Sequence, residues 1–438
     1  MTGRTYALLR APFGALSAVF SRTFPCAFLC ALLCALLALP APSAAAGQDD
    51  GEVVLGMSAA FSGPSRSLGM ELYRGAMAYF ADRNAHGGIF GRSWRIEARD
   101  DGYDPDRAVR NTIEFLTDDR VLLLFGYVGT PTTTRVLPLL KGFCKHGGLL
   151  FFPFSGAQSM REQPYLPFVF NLRDSYRAET QRIVDTCCAL HRTRIAVFYQ
   201  MDAYGRSGWD GVRRALEARG LSIAGEATYA RGQGFSASMA RQAALIAQAR
   251  PDAVVSVGSY EASAAFVRDA RAAGMDAPIF QLSFGGGESM LALLERAAGQ
   301  DGRDYERGVF ATQVVPSYED ASLEAVREYR AAMDSYAPPP PPCARGEGYA
   351  PLRYSLVSFE GFLDAKALDE MLRAVGRIPA RGELAAAVAA AGDLDLGIGR
   401  ALRYSPTDHQ GLKDVYLTVA RGGTFVPATP ADIERWRQ

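Results

Sequence analysis

Histidine is scarce in this sequence: its 438 residues hold four, His86, His146, His191 and His409. Three of them fall at expected helix ends, where a cationic ring suits the dipole and no catalysis is needed. The usual catalytic signatures are also missing. There is no GxxxxGK(S/T), no HExxH, no GxSxG, and no GxGxxG opening a helix after a strand. The Gly285–Gly287 run before Glu288 could cradle a phosphate, but no Lys-Ser/Thr follows it and glycine clusters mark turns. With no nucleophile–base pair and no metal constellation, neither an enzyme nor a resident cofactor or metal is expected. An excess of one charge is lacking as well: 47 Lys+Arg face 47 Asp+Glu. That balance excludes the broad basic face a nucleic-acid partner requires.

Long apolar runs are absent except near the N-terminus. Residues 1–25 carry Arg4, Arg10 and Arg22 and no acid, and an apolar run follows from Cys26 to Leu39. Pro40, Pro42 and small residues lead to Ala44-Ala45-Ala46. A basic stretch, a short apolar core and an Ala-x-Ala end predict a secretory signal peptide, residues 1–46, cleaved after Ala46. A membrane anchor would need about 20 apolar residues, more than this core has. Cys26, Cys30 and Cys34 lack the small preceding residue of a lipoprotein. Removing 46 of the 438 residues leaves 392, beyond the ~250–300 at which one core stops growing, so two lobes are expected. Lys+Arg falls from 47 to 44 on cleavage. Four cysteines remain, Cys144, Cys187, Cys188 and Cys343, which in an oxidising compartment allow three pairings. Their spacing fits no zinc site, and Cys187, on an apolar helix face, reads as a buried thiol.

What is present is a repeated alternation of strands and helices. Strands are expected at Val53–Ala59, Trp94–Ala98, Val121–Phe125 and Leu149–Phe152. Between them run helices, one striped by Val109, Ile113 and Leu116 and another by Val136, Leu139, Leu140 and Phe143. A second copy begins after Asn171-Leu172-Arg173, with strands at Ile195–Tyr199, Leu221–Ala227, Ala253–Val257 and Ile279–Leu282. Its helices are striped by Trp209, Val212 and Leu216, then by Phe235, Met239, Ala243 and Ile246. Such alternation predicts an α/β fold of two doubly wound parallel-sheet lobes. The tail predicts a strand at Val309–Val315, helices at Ser322–Tyr336 and Tyr354–Leu372, and a final strand at Asp414–Val419. The five prolines Pro338–Pro342 read as a stiff surface spacer.

Ligands of open parallel sheets bind beyond the C-terminal strand ends, where helix N-termini point. Those loops are Ser62–Gly69, Gly126–Thr133 and Phe154–Gln158 in the first copy. Their Gly, Ser and Thr content suits hydrogen-bond donation to an anion such as a carboxylate, although Thr132 or Thr133 could simply cap a helix. The second copy offers Asp202–Gly205, Gly258–Glu261 and Ser283–Gly285. Tyr204 and Tyr260 there can close over an apolar or cationic group.

In these loops the chain resembles the type I periplasmic binding proteins, specifically the leucine/isoleucine/valine-binding family of ABC transporters. The resemblance rests on Ser62-Gly63-Pro64 with Leu68-Gly69, Gly87-Gly88-Ile89 with Gly91, and Asp100-Asp101 with Asp104-Pro105 and Ala108-Val109. The Gly126–Thr133 loop, Tyr204-Gly205 and Gly274 complete it. It implies a three-crossover hinge near 171–173, 308–315 and 403–407. The first lobe is then 47–172 with about 310–402, the second 173–309 with about 403–438. It implies a ligand carboxylate held by Thr130 and the Ser155-Gly156-Ala157 loop, and second-lobe contacts from Tyr204 and Tyr260. Two positions depart from the pattern. Leu68 replaces an aromatic of the first loop, and the acid that pairs with a ligand ammonium falls near Ser283 or Phe284, with Glu288 as a possible substitute. A buried ammonium without a partner is costly, so a carboxylate or amide is as open as a branched-chain amino acid. The resemblance implies a periplasmic, monomeric solute-binding protein that docks on an inner-membrane ABC permease. The alternative is a sensor signalling to a membrane receptor.

Overall fold

The computed structural model describes residues 51–143, 146–344 and 348–436. The expected signal peptide and Cys144 lie outside them. Five strands, β1 (Glu52–Ala59), β2 (Ser93–Asp100), β3 (Val121–Phe125), β4 (Leu150–Phe151) and β5 (Val169–Phe170), form an all-parallel sheet in the order β2-β1-β3-β4-β5. Helices α1 (Arg66–Ala85), α2 (Pro105–Thr117) and α3 (Thr130–Gly142) connect the first four. All of β1 after Glu52 is buried, as a strand covered on both faces must be.

The chain then crosses to a second sheet. Helices α4 (Tyr176–Ala189), α5 (Ala203–Glu217), α6 (Ala240–Gln248), α7 (Tyr260–Ala272) and α8 (Glu288–Asp301) alternate with β6 (Ile195–Gln200), β7 (Gly225–Tyr229), β8 (Ala253–Val257), β9 (Ile279–Gln281) and β10 (Val309–Gln313). After β10 the chain returns to the first lobe as α9 (Glu324–Tyr336) and α10 (Leu356–Val375), then α11 (Leu384–Ala389) and the hairpin β11 (Asp393–Asp395)–β12 (Ala401–Arg403). It ends with β13 (Tyr416–Arg421), β14 (Thr424–Pro427) and α12 (Pro430–Glu434). The second sheet has the order β14-β13-β10-β9-β8-β6-β7. It is mixed and not wholly parallel, because β13 runs antiparallel to both β10 and β14. The two doubly wound lobes are therefore present, and β10 belongs to the second sheet.

The hinge is built from paired crossings. Asn171 N–H donates to His409 O at 2.8 Å, Gly411 N–H returns to Asn171 O at 2.8 Å, and Leu412 N–H reaches Leu172 O at 2.7 Å. The His409 ring stacks on Phe170 at 4.0 Å, and the Tyr404 hydroxyl donates to Asn171 O at 3.1 Å. The pairing thus lies at 409–412, just beyond the 403–407 stretch named from sequence.

Three local expectations are corrected. In α2 the buried face is Ala108, Thr112, Phe115 and Leu116, while Ile113 is exposed. Thr112 can be buried because its hydroxyl donates to Ala108 O and also meets the Tyr127 hydroxyl. Phe235 lies before α6, its backbone N–H bound by Glu261 and its ring covered by Arg268. The Pro338–Pro342 run is partly buried, with Pro338 and Pro341 turned inward and Tyr73 and Met77 lining the same cavity.

Helices α1 and α10 cross at two glycines. A Cβ on Gly75 would strike the Ser358 carbonyl, and one on Gly361 would strike the Leu72 carbonyl. Backbone cannot rotate away as a side chain can, so Gly361→Ala is expected to destabilise the fold by about 1–3 kcal/mol. Gly382→Ala, with open space at its Cβ, should be neutral or better. Urea denaturation of both variants checks the contrast; equal stabilities would mean the helices can separate freely.

Candidate functional site

The C-terminal strand ends of both sheets face one another beside the hinge. Thr130 opens α3, and its Oγ1 lies 2.8 Å from Ser155 Oγ and 3.3 Å from the Tyr176 hydroxyl. Ser155, in the loop after β4, also accepts from Ala157 N–H at 3.3 Å. Gly156 must be glycine here: its carbonyl accepts from Tyr176 N–H at 2.8 Å, and a Cβ would enter the Tyr176 ring. The first-lobe loop is thereby fastened to the first turn of α4, in the second lobe.

Five aromatic rings fill the space between the lobes. Tyr204 lies 5.2 Å from Tyr176 and 4.5 Å from Phe284, centroid to centroid. Phe284 in turn meets two first-lobe rings, Phe154 at 5.5 Å and Tyr103 at 6.2 Å. Asp202 caps α5 by accepting from Tyr204 N–H at 2.9 Å, which aims the Tyr204 ring into the group. The Tyr204 hydroxyl is buried without a hydrogen-bond partner among the described residues. Tyr103 reaches the group from a left-handed backbone, φ 64°, held by its N–H to Asp101 Oδ1 at 2.8 Å. Such strain persists where the surroundings over-determine it.

Thr130, Ser155, Gly156, Ala157, Tyr204 and Phe284 are thus brought together. Tyr260 and Leu68 are not. The Tyr260 hydroxyl donates to Glu261 Oε1 at 3.3 Å and lines a separate cavity of about 330 Å³ with Arg66, Ser67, Ser289 and Tyr349. Leu68 is buried in the first turn of α1. This seam also joins the lobes: the Ser67 and Ser289 hydroxyls meet, and Arg66 pairs with Glu261 at 3.5 Å.

Sequence reasoning missed the charged floor of the site. Arg173, 1% exposed, leaves the first crossing and pairs through Nε with Glu360 Oε1 of α10 at 2.9 Å. Its Nη2 donates to Ser283 Oγ at 2.7 Å, and its guanidinium lies 4.2 Å from the Phe154 ring centroid. Its Nη1 has no hydrogen-bond partner among the described residues. Glu179 of α4 accepts from Ser283 N–H at 2.8 Å, from Ser283 Oγ at 3.0 Å and from the Thr312 hydroxyl. Burial raises Glu179 and pushes Glu360 up to about 7, with Arg173 pulling both the other way. Asp364, one turn on from Glu360, is raised further by burial and by the Glu360 charge. Burial works against the Arg173 charge, but Glu360, Tyr176 and Glu179 outweigh it and hold the guanidinium above its ordinary value. The one sequence signal was a basic residue closing a mostly apolar crossing, Val169-Phe170-Asn171-Leu172-Arg173. Glu288, considered as the missing acid, instead accepts from Leu356 N–H at 3.2 Å, at the start of α10.

Residues 52–424 match a family model described as periplasmic binding protein. Among solved structures, a possible leucine/isoleucine/valine-binding protein from Rhodopirellula baltica SH 1 is 30% identical with a TM-score of 0.74, over 87% of this chain and 97% of that one. A substrate-binding periplasmic protein from Ralstonia solanacearum is 27% identical with a TM-score of 0.73, over 86% and 99%. A Thermus thermophilus branched chain amino acid ABC transporter structure with bound valine shares the fold at 18% identity, TM-score 0.73, over 88% of this chain and 98% of that one. An amino acid binding protein from Pseudomonas aeruginosa is 26% identical over 174 residues, which span 39% of this chain and 45% of that relative.

Proposed function

From a chain that belongs to the periplasmic binding protein family, we propose a carrier whose two lobes close on a small polar solute and hand it, chemically unchanged, to an ABC-type membrane permease. One observation carries this reading: the Thr130–Ser155 pair of the first lobe meets Tyr176 of the second, whose ring packs on Tyr204 and through it on Phe284, beside a hinge of hydrogen-bonded crossings. Closure would be a rigid rotation about those crossings. One body carries the five-stranded sheet with α9 and α10, the other the seven-stranded sheet. The seam contacts of Ser67 with Ser289 and of Arg66 with Glu261 then latch the closed form. The leader ending at Ala46 would deliver the protein to the periplasm, where it works as a monomer.

Within this reading Thr130, Ser155 and the Gly156-Ala157 backbone hold an acceptor group of the solute, and Tyr204 and Phe284 cover it. A solute at 100 times its dissociation constant stabilises the native state by about 2.7 kcal/mol, which a melting screen against amino acids, amides and small carboxylates resolves. Thr130→Val, which removes one hydroxyl and keeps the shape, is expected to weaken binding of the best solute by about 0.5–3 kcal/mol. Calorimetric titration reads that loss, and wild-type affinity in the variant would remove Thr130 from the site.

A further inference from the structure

The seam between the lobes holds a cavity of its own, apart from the ring group, and its walls carry more cation than anion. We infer that this cavity binds a small oxyanion, a carboxylate or phosphate group, which ties the lobes together in the closed form. The site does not depend on which solute the carrier takes; its bearing on closure rests on the two-lobe reading.

Both lobes supply the walls. Arg66, Ser67 and Tyr349 come from the first, and Tyr260, Glu261, Ser289 and Arg296 from the second, around a space of about 330 Å³. Small-molecule sites begin at about that size. Two guanidinium groups stand against one carboxylate. Arg296, exposed on α8, has no ion pair or hydrogen bond among the described residues. Arg66 uses Nη1 on Gly63 O at 2.9 Å and on Glu261 at 3.5 Å, while its Nε is buried with no partner. Among the described residues that line the cavity, this N–H is the one buried side-chain polar atom left unpaired. A buried donor left unmade is costly, and guanidinium with an oxyanion is among the stronger hydrogen-bonded pairs.

The acceptors around this cavity are taken. Glu261 Oε2 accepts from Phe235 N–H at 3.0 Å, and its Oε1 faces the Tyr260 hydroxyl at 3.3 Å and Arg66. Glu288 carries an unpaired Oε1 but does not line the cavity, and its other oxygen accepts from Leu356 N–H. The hydroxyls form a chain with a fixed direction. Glu71, buried in α1, accepts from Arg74, from Leu352 N–H and from the Tyr349 hydroxyl at 2.8 Å. Tyr349, its proton given to Glu71, accepts from Ser67 at 3.2 Å, and Ser67 accepts from Ser289 across the seam. That chain leaves no proton for a ligand, so recognition falls to the guanidinium groups. A cation would meet both of them and no free carboxylate. An anion that engages Arg66 of one lobe and Arg296 of the other binds the closed form better than the open one, and so shifts the balance toward closure.

Melting temperature and small-angle X-ray scattering of the purified protein are followed against sodium phosphate and, separately, sodium acetate. Sodium chloride holds the ionic strength constant, and no other solute is present. The expected result is a saturable rise in melting temperature with a smaller radius of gyration. A stronger response to phosphate assigns a phosphate group, and a stronger response to acetate a carboxylate. Arg296→Gln keeps a good helix former at an exposed position, so its anion-free melting temperature should match the wild type. Its half-saturating anion concentration should rise by about fivefold, and Arg296→Lys, which keeps the charge, should recover part of that loss. No saturable response to either anion, or saturation of Arg296→Gln at the wild-type concentration, would overturn the site. A melting shift with an unchanged radius would overturn the tie between the lobes. None of these outcomes bears on the carrier reading, which stands or falls on the melting screen against solutes.

Discussion

Arg173→Met is expected to lower the unfolding free energy by about 3–5 kcal/mol, the range for stripping one partner from a buried ion pair. Arg173 is 1% exposed and is the cation set directly against Glu360, at 2.9 Å. Without it Glu360, Glu179 and Asp364 share one buried pocket and lose the main charge that offsets their repulsion. The lobes feel the loss together. Arg173 joins the crossing at Leu172, the second-lobe loop at Ser283 and the first-lobe helix α10 at Glu360. Lysine should not rescue, because one ammonium cannot reproduce a planar fork that reaches Glu360 and Ser283 while covering Phe154. The double variant Arg173→Met with Glu360→Met should recover most of the stability, since an apolar pair of similar volume replaces the ionic one. Denaturant unfolding of the four proteins completes a double-mutant cycle. A single-variant loss under about 1 kcal/mol would show that water already screens this pair.

Much of the frame was legible because it depends on local period. The runs at Val53–Ala59, Val121–Phe125 and Ala253–Val257 are continuous and apolar, and each became a strand buried on both faces. Once strands alternate with helices, the loops at strand C-termini follow, and with them Thr130, Ser155, Tyr204 and Phe284. Tyr260 was read by the same rule and went elsewhere. It opens α7, and its side chain faces the N-terminal turn of α1 across the seam, a placement that the lobe angle sets and no period encodes. The surroundings of Ser283 show the other limit. The acid that binds its hydroxyl is Glu179, 104 residues earlier in sequence, and only the packing of α4 beneath that loop brings them together. The α2 stripe failed for a third reason. Hydropathy selected Ile113, while the fold buries Thr112, whose hydroxyl is satisfied by Ala108 O and Tyr127.

Acidification from pH 8 to pH 5 is expected to stabilise this protein. Burial holds Asp101 and Glu288 each at about 7, against ordinary values of 3.8 for the aspartate and 4.5 for the glutamate. Between those values and 7 the folded chain keeps protons that the unfolded chain has released. Their contribution is therefore complete below about pH 4 and drains away as the pH rises through 7. One carboxyl kept protonated across two pH units corresponds to about 2.7 kcal/mol, so the two of them set a scale of about 3–5 kcal/mol. Below pH 4 the sign reverses. The Asp118 carboxyl, held down to about 2 chiefly by its hydrogen bonds from Arg120, loses its partner on protonation. Asp100 does the same, since the bonds from Ser62, Phe61 N–H and Gly102 N–H outweigh its burial and lower it. Stability should accordingly peak near pH 5, and Glu288→Gln, neutral at every pH, should flatten the slope between pH 5 and 8. Unfolding curves across that range decide the matter. A stability that falls steadily from pH 8 to 5 would mean that Asp101 and Glu288 are ionised in the native protein and that water reaches them.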